Sequence, residues 1–271
     1  MLNSRKCAIV IPIYKSELTN FEWISFKQCV KILHNYDLIV IKPISLNLPD
    51  AVIACITSIQ NFEDDNFNGI FAYNRLMLAA TFYERFLAYT YILIYQLDAF
   101  VLNDNLAYWC DQDYDYIGAP WLRERIFKKK YKTLKENIKS YFHRRYNIIE
   151  KETNRPALDK QLANQVGNGG FSLRKTAVFY NICLKNKSII DVYKSGTTNY
   201  FNEDIFFCIE LNRKKKVLKI PKIGKALSFA FETYPERCLV LNKKKLPFGC
   251  HAWDKNLNFW RPYFEKLGYT I

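Results

Sequence analysis

An apolar stretch of the chain, Tyr91–Val101, carries a single carboxylate near its end and reads YILIYQLDAFV. Such runs usually form buried strands of a parallel sheet. Asp98 would then face the crevice in which α/β sheets bind ligands, where a carboxylate needs water, a cation or a donor group. In an extended strand Gln96 and Asp98 point to one side, so together they could hold a divalent cation and a diphosphate. Alternatively, Asp98 caps the next turn or pairs with a lysine.

A glycine-rich segment, Gly167-Asn168-Gly169-Gly170, comes much later in the chain. Glycine permits backbone conformations with positive φ and close approach to a ligand. A sugar or a phosphate group could therefore lie against Gly169 and Gly170. The alternative is a tight turn that only joins two elements.

Two adjacent acids, Glu203 and Asp204, follow Asn202 and precede an apolar run. Asn202 is a plausible helix cap, and acids in a first helical turn are favoured by the free N–H groups and by the dipole. A carboxylate held there at the edge of a pocket could accept a proton from a hydroxyl group. The dipole is expected to lower the pKa of Asp204. The alternative role of the acids is to stabilise the helix.

One of the three histidines, His251, lies in the late segment Pro247–Trp253, which reads PFGCHAW and is predicted to form a turn. A lone histidine usually serves packing. It could instead provide a nitrogen ligand for the cation at Asp98.

The elements around these residues alternate between strands and helices. The predicted order is strand Cys7–Tyr14, a helix capped by Asn20 and running to Asn35, strand Asp37–Lys42, a short helix or strand within Ala51–Ile59, strand Ser58–Phe62, helix Asn74–Thr90, strand Tyr91–Val101, strand and turn Tyr116–Trp121, strand entry at Val166–Arg174, helices Thr176–Asn186 and Asn202–Arg213, and strands Val217–Ile220 and Leu227–Glu232. Strand, helix and strand at the first spacing form a right-handed βαβ unit with parallel strands.

The domain prediction is a single α/β domain, 1–271, with a nucleotide-side half, 1–110, and an acceptor-side half, 111–271. Hydrophobic residues make up 49% of the 271, so the chain can bury a sizeable core. The eight cysteines form no CxxC pair and are typical of buried residues in a reducing compartment. The first residues do not resemble a signal peptide, and no apolar run reaches the roughly 20 residues of a membrane span. The sequence therefore predicts a cytoplasmic protein.

The charge of the chain is strongly positive and unevenly distributed. The formal net charge is +14, and residues 123–145 hold ten Lys and Arg against two Glu. This stretch belongs to a predicted surface insertion, 122–146, that is helical in its middle. It suits an anionic partner such as a lipid surface at the inner face of the cytoplasmic membrane, or it is simply a solvated helix face. Nucleic-acid binding is an alternative function, but most aromatic residues fall in apolar runs rather than among the basic ones.

The order of these features resembles the GT-A glycosyltransferases: a strand-end Asp, a glycine loop, an acid pair that opens a helix and a late His. The chain also resembles a bacterial family of glycosyltransferase-like proteins known as an uncharacterised domain. The shared runs cover nearly the whole chain and are YNRLM, YQLDAFV, YIGAPW, GNGGFSLR, NEDIFF and PFGCHAW. The chain departs from the family's DxD pattern at Gln96, which weakens the expectation of strict metal dependence.

The resemblance implies a GT-A-like mixed sheet and an inverting transferase that uses a nucleotide-diphosphate sugar, with UDP favoured, for polysaccharide or lipopolysaccharide synthesis. The acceptor would be a glycan or a lipid-linked hydroxyl. A catalytically inactive glycan-binding relative is the other alternative. The implied roles are a general base at Asp204 or Glu203, a Mn²⁺ or Mg²⁺ site at Asp98 and His251, a ribose or metal-bound water contact at Gln96, nucleotide-base contacts at Ile11, Pro12, Ile13 and Tyr14, and sugar contacts at Asn168, Gly169 and Gly170.

Overall fold

The computed structural model describes residues 5–271. Met1–Ser4, the first residues of the segment that does not resemble a signal peptide, lie outside the described part. The strands are β1 Arg5–Pro12, β2 Asp37–Pro43, β3 Ser58–Phe62, β4 Tyr89–Tyr95, β5 Phe100–Val101, β6 Tyr116–Ile117, β7 Pro120–Trp121, β8 Ile149–Glu150, β9 Arg155–Pro156, β10 Gln165–Val166, β11 Phe171–Lys175, β12 Ala230–Phe231 and β13 Gly249–Cys250.

The α-helices are α1 Asn20–Leu33, α2 Asp50–Ile53, α3 Ile70–Met77, α4 Ala80–Glu84, α5 Leu106–Asp111, α6 Lys130–Tyr146, α7 Leu158–Leu162, α8 Thr176–Lys185, α9 Lys187–Ser195, α10 Glu203–Ile205, α11 Ile223–Phe229, α12 Pro235–Leu241 and α13 Leu257–Lys266. Short 3₁₀ turns occur at Asp64–Phe67, Asn199–Phe201 and Trp253–Asn256, and a π-helical turn, Phe206–Glu210, continues α10.

The main sheet has six strands in the order β3-β2-β1-β4-β11-β6. The four strands β3, β2, β1 and β4 are parallel, β11 pairs antiparallel with β4, and β6 pairs antiparallel with β11. The chain moves outward from β1 to β3 and then returns to the other side of β1 with β4. This reversal is a topological switch point, and the crevice beyond the carboxyl ends of β1 and β4 is the expected ligand site of an open α/β sheet.

The central strands are buried on both faces, which explains why their sequences are continuous apolar runs. In β1, Ile9 and Ile11 belong to the core cluster that includes Phe26 of α1. The alternate residues Ala8 and Val10 belong to the opposite cluster, which includes α4 and α8 residues. The predicted mixed α/β sheet flanked by helices is therefore confirmed.

A smaller sheet, β12-β13-β5, lies beside the main one and is packed against the C-terminal helix. Phe100 of β5 stacks on Phe264 of α13 at a ring-centroid distance of 3.9 Å. Trp253 and Trp260 are fully buried in the same cluster. This sheet fixes the segment that carries His251 against the segment that follows β4.

Several sequence expectations about elements are wrong in detail. The predicted helix Asn74–Thr90 is two helices, α3 and α4, because the chain turns at Leu78 and Ala79. Val217–Ile220 is irregular, and the first half of the predicted strand Leu227–Glu232 is the end of α11, with only Ala230–Phe231 extended. Apolar runs of this length do not distinguish a strand from a buried helix.

The cap of α1 is Thr19 rather than the predicted Asn20. Thr19 and Glu22 form a reciprocal capping box. The helical insertion is present as α6, and β1, β2, β3 and α8 lie at or near their predicted positions. Within residues 5–271 no helix is long and apolar enough to cross a membrane.

Candidate active site

The predicted strand Tyr91–Val101 ends early, at Tyr95, and the chain then turns. The N–H of Ala99 donates to the carbonyl of Gln96 at 2.8 Å, which closes a turn around Asp98. The prediction that Gln96 and Asp98 point to the same side of an extended strand is therefore wrong, because neither residue lies in a strand. The turn nevertheless brings both side chains to one cavity.

This cavity has a volume of about 660 Å³ and lies at the carboxyl ends of β1 and β4, where the sheet order reverses. Pro12, Ile13 and Tyr14 line it, whereas Ile11 is fully buried in the core and does not. The remaining wall comes from α1 and its cap, α3 and the turn before it, and the segment after His251. Its lining residues include Phe21, Glu22, Phe67, Gly69, Tyr73, Gln96, Asp98, Trp253 and Asp254.

Two residues that line this cavity carry buried polar atoms with no hydrogen-bond partner in the described part of the chain, the Tyr73 hydroxyl and Oδ1 of Asp254. A third such atom, Oε2 of Glu232, belongs to the acid beside His251. Buried polar groups in proteins are nearly always hydrogen-bonded, so unpaired ones need water, an ion or a ligand. The cavity thus combines an apolar wall with polar atoms available for a ligand.

His251 lies at the centre of the polar groups. Its Nε2 is 3.0 Å from Oδ1 of Asp98 and 3.3 Å from Oε1 of Gln96. Its Nδ1 is 3.3 Å from Oε1 of Glu232 and 3.0 Å from Nδ2 of Asn168. Burial alone lowers the pKa of His251, but the charges and hydrogen bonds of Asp98 and Glu232 outweigh burial and raise it to about 10.

Asp98 responds to this pairing in the opposite direction. Burial raises the pKa of its carboxyl, but the charge and hydrogen bond of His251 prevail and hold the pKa below its usual value. Its side chain is 38% exposed, so the carboxylate still reaches solvent. Asp98 is therefore an ionised acid that keeps free lone pairs at the cavity.

The glycine loop reaches the same histidine through Asn168. The Asn168 Oδ1 accepts the N–H groups of Gly170 and Phe171 at 2.9 and 3.3 Å, which directs its amide N–H₂ toward His251. The positive φ of the loop, 73°, is at Asn168 and not at a glycine. The expectation that the glycines supply positive φ is therefore wrong.

The two glycines are required by space. A Cβ at Gly169 would collide with the Glu203 carboxylate, and a Cβ at Gly170 would collide with the His251 ring and the Gln96 amide. The carbonyl of Gly170 also accepts the N–H of Gln96 at 2.9 Å. The two glycines thus pack, because they lack side chains, between Glu203 on one side and His251 with Gln96 on the other.

Glu203 is bound by an arginine that the sequence analysis missed. Oε1 and Oε2 of Glu203 accept from Nη2 and Nη1 of Arg174 at 2.9 and 3.1 Å, and both side chains are buried. Arg174 also donates to the Tyr83 hydroxyl at 2.9 Å and to the carbonyl of Gly169 at 3.3 Å. A charged residue inside the buried run of β11 was the available signal, because such a charge needs a partner.

The helix that starts at Glu203 is capped from outside. Asn202 makes no capping bond with its side chain, contrary to expectation. Instead Asn74 of α3 accepts the Glu203 N–H at 3.3 Å and donates to Oδ1 of Asn202 at 3.0 Å. Asn74, a second residue the analysis missed, therefore holds the acid pair in place.

Asp204 is half-buried, and its Oδ1 accepts the N–H of Ile205 at 2.8 Å. Burial, followed by the charges of Glu203 and Glu232, raises its pKa to about 7. The predicted lowering by the helix dipole is wrong, because these effects exceed those of the N–H contact and of Arg174. Asp204 can therefore exchange a proton near neutral pH.

The residues fit a divalent cation only if a ligand completes its coordination. No cluster of three or more His, Cys, Asp or Glu side chains with metal-binding geometry is present within residues 5–271. Asp98 and His251 meet at 3.0 Å, and Gln96 adds an oxygen. Mg²⁺ is often held by one or two carboxylates together with substrate phosphates, so this incomplete donor set is compatible with a shared ion.

The ring nitrogens of His251 decide whether it can bind an ion. Nδ1 faces an amide donor, Asn168, and a carboxylate acceptor, Glu232. A ring that binds a metal through Nε2 carries its proton on Nδ1, and Glu232 is the partner for that proton. A neutral ring that accepts from Asn168 carries the proton on Nε2 and donates it to Asp98 or Gln96. At a pKa of about 10 the ring carries both protons at neutral pH, so a cation bound at Nε2 would displace the Nε2 proton and leave the Nδ1 proton with Glu232.

Comparisons with solved structures give the fold. The galactosyltransferase LgtC, in complex with donor and acceptor sugar analogues, matches over 90% of this chain and 86% of its own, with a TM-score of 0.54 and 14% identity. An apo form of mouse xyloside xylosyltransferase 1 matches over 91% of this chain and 97% of its own, with a TM-score of 0.52 and 8% identity.

The apo structure of the bifunctional glycosyltransferase WbbM matches over 91% of this chain at 12% identity and a TM-score of 0.50, but this chain spans only 45% of that protein. At such identities the similarity establishes the fold alone. It confirms the GT-A-like, Rossmann-type mixed sheet flanked by helices.

No curated protein matched the chain significantly. One family model, described as a protein of unknown function (DUF5672), matches residues 57–251. That range includes the turn after β4, the glycine loop, the acid pair and His251, and covers most of the chain. The protein therefore belongs to the DUF5672 family.

Proposed function

We propose that the protein is a glycosyltransferase that moves a sugar from a nucleotide-diphosphate donor, preferably a UDP-sugar, to a hydroxyl group of a glycan or lipid-linked acceptor. The observation that carries this proposal is the meeting of Asp98, Gln96, Gly170 and His251 beside a cavity of about 660 Å³ at the sheet's switch point. The fold of LgtC and of the xylosyltransferase supports it. Synthesis of surface polysaccharide or lipopolysaccharide, on the cytoplasmic side, is the proposed setting.

The cavity supplies what a nucleotide donor needs. Ile13 and Tyr14 offer apolar and aromatic surface to a base, and Tyr73 and Asp254 carry buried polar atoms without partners. Gln96 lies between this wall and His251 and could donate to a ribose oxygen. Asn168, Gly169 and Gly170 are the proposed border of the donor sugar.

Asp98 and His251 would hold Mn²⁺ or Mg²⁺ together with the donor's phosphate oxygens. The ion would supply Lewis-acid stabilisation of the leaving diphosphate. Asp98 contributes an ionised carboxylate, and His251 contributes Nε2 when its Nδ1 proton is held by Glu232. Gln96 in place of a first acid makes this a weaker donor set than a pair of carboxylates, so strict metal dependence is not part of the proposal.

Asp204 is the proposed general base. Its ionised carboxylate would take the proton of the acceptor hydroxyl while that oxygen attacks the anomeric carbon. The bond from this carbon to the diphosphate oxygen breaks, and the diphosphate leaves with the electron pair, so the anomeric configuration is inverted. A pKa near 7 suits this role, because a base should be ionised at working pH and still accept a proton.

Glu203 was the alternative base, and we assign it a positioning role. Both of its oxygens are held by the Arg174 guanidinium, and its carboxylate packs where a Gly169 side chain would be. In this bidentate pair both carboxylate oxygens are engaged by the guanidinium rather than by an acceptor hydroxyl. Its function would be to fix the glycine loop beside Asp204.

A thermal-shift panel of UDP-, GDP- and CMP-sugars, with and without Mn²⁺, tests the donor proposal. A donor at a hundredfold excess over its Kd should stabilise the protein by about 2.7 kcal/mol. We expect the largest shift with a UDP-sugar and Mn²⁺, and its loss in Asp98→Ala without a lower melting temperature of the free protein. Stabilisation by none of these donors, or full turnover in Asp98→Ala, would contradict the proposal.

A further inference from the structure

The helix α6 exposes its apolar side and packs its polar side on the protein, which is the reverse of an ordinary surface helix. Its large apolar side chains face away from the protein and are all exposed. They are Tyr131, Leu134, Ile138, Tyr141, Phe142 and Tyr146, which we call the outer face. Their exposed fractions run from 45% to 66%. At 3.6 residues per turn they lie within an arc of about 140°, which also contains Lys135 and Arg145.

The side of α6 that packs on the protein is polar. Ser140 and His143 are buried there, and Arg123 donates to Oγ of Ser140 at 2.8 Å and to the carbonyl of Glu136 at 3.2 Å. In a globular protein the apolar stripe of a helix normally faces the core, as Phe26, Cys29 and Leu33 of α1 do here. The orientation of α6 therefore leaves its apolar stripe without a partner in the described chain.

The outer face is flanked by lysines. The basic residues before and along it are Lys128, Lys129, Lys130, Lys132, Lys135 and Lys139, and all are exposed. None of them forms a salt bridge within the described residues. Unpaired lysines beside an apolar stripe are complementary to a surface that is anionic outside and apolar just beneath.

We propose that α6 lies in the interface of a membrane rich in anionic lipids, with the outer face inserted between the headgroups and the lysines on the phosphates. A basic, amphipathic helix with aromatic and aliphatic residues on one face has the composition of such interfacial helices. The aliphatic Leu134 and Ile138 lie at the middle of the face, where a nucleic acid would need stacking or polar contacts. The inference goes beyond the proposed transferase activity and does not depend on it.

Sedimentation with phosphatidylcholine vesicles, with and without phosphatidylglycerol, tests the proposal. We expect the protein to bind only the anionic vesicles and to dissociate as salt rises, because the screening length shortens. Replacing Lys132, Lys135 and Lys139 by Gln should weaken binding roughly 100-fold, since each basic residue near an anionic leaflet contributes about fivefold. The outer-face variant Leu134→Gln, Ile138→Gln, Phe142→Gln should lose binding while the lysines remain.

Matched controls are available on other helices. Leu184, Val192 and Val240 are exposed to a similar degree, with exposed fractions of 53%, 55% and 70% against 61%, 49% and 45% for Leu134, Ile138 and Phe142. Their replacement by Gln makes the same polarity change without touching α6. Replacing the exposed Lys31, Lys185 and Lys187 by Gln removes the same charge. Both control variants should bind vesicles like the unmodified protein.

Several results would overturn the proposal. One is failure of the unmodified protein to bind anionic vesicles at low salt, and another is unchanged binding of the outer-face variant. If light scattering finds a dimer that only the outer-face variant dissociates, the face joins two copies of the chain. If single-stranded RNA binds in place of vesicles and both α6 variants lose it, the partner is a nucleic acid.

Discussion

Two acid–cation pairs stand close to the glycine loop, and they differ in how completely the acid is satisfied. In the pair of Glu203 and Arg174, the side chains are 3% and 0% exposed and both carboxylate oxygens are bonded. In the pair of Asp98 and His251, the side chains are 38% and 13% exposed, and one Asp98 oxygen meets the histidine. The first pair is closed to ligands, whereas the second lies at the cavity.

This difference assigns separate tasks to carboxylates that the sequence presents alike. A buried pair with every oxygen bonded is costly to break but has no lone pair for a substrate. A half-exposed acid with spare lone pairs can bind a cation or a phosphate partner. Asp204 is intermediate, because it is half-buried, lacks a cation of its own and faces the charges of Glu203 and Glu232.

Removal of Glu203 should break the closed pair and give the largest effect on stability. Glu203→Ala leaves the Arg174 guanidinium buried and without its carboxylate, which should cost about 3–5 kcal/mol of unfolding free energy. Urea denaturation followed by fluorescence measures this loss. Replacing both members of the pair by apolar residues, in the double variant Arg174→Met, Glu203→Leu, should restore much of this stability, because neither charge of the pair then remains buried.

The exposed pair of Lys6 and Asp111 is the control for that experiment. The two side chains are 51% and 64% exposed. Asp111→Ala should change the unfolding free energy by only about 0–1 kcal/mol. If Glu203→Ala also changed the unfolding free energy by only about 0–1 kcal/mol but abolished sugar transfer, Glu203 and not Asp204 would be the better candidate for the base.

Asp204→Asn should distinguish the proposed role of Asp204 as general base from the roles of the two acid–cation pairs in stability and donor binding. The substitution keeps the oxygen that accepts the Ile205 N–H and removes one of three neighbouring carboxylates, so we expect normal or higher stability and normal donor affinity. Transfer should fall about 10²–10⁴-fold, which is typical for loss of a general base. Full transfer in this variant, or retained anomeric configuration of the product by NMR, would contradict the assignment.

The pH dependence follows from the raised pKa of Asp204, about 7. Above the ordinary pKa of aspartate and below 7, the folded protein binds a proton that the unfolded chain has lost. The contribution of Asp204 to stability therefore falls as pH rises through this window. Transfer should rise over the same window and level off above about pH 7 as the base ionises. In Asp204→Asn both trends should be absent.

Much of the fold follows from the sequence because the central strands are buried on both faces. Uninterrupted apolar runs and a capped helix at βαβ spacing suffice to predict β1, α1 and β2. The chain leaves β4 at Tyr95, however, and β5 pairs with a strand about 150 residues later. Local pattern gives no sign of that partner, so the run Tyr91–Val101 was predicted as one strand.

The site shows the same limit. The types of Asp98, Asp204 and His251 and their order along the chain drew attention to them. The partners that determine their chemistry, Arg174 and Glu232, come from other segments. The rise in the pKa of Asp204 could not be predicted, because its largest cause is burial in the tertiary fold, followed by the charges of the adjacent Glu203 and of Glu232, 28 positions away in sequence. Helix-terminal position alone predicted a lowered pKa.

The glycine loop offers the smallest change that distinguishes the two pairs. Gly170→Ala places a methyl group against Nε2 of His251 and the Gln96 amide, so the contact between His251 and Asp98 should be disturbed. The backbone φ of Gly170 lies outside the positive range, so steric contact alone is responsible. Nucleotide binding in the presence of Mn²⁺ should weaken about 10–100-fold, as when the orientation of a metal ligand is disturbed. Gly224→Ala, where a Cβ meets no atom within 4 Å, is the matched control and should bind normally. Equal binding in the two variants would mean that the orientation of His251 is irrelevant to the donor, and the functional role of the Asp98–His251 pair would fail with it.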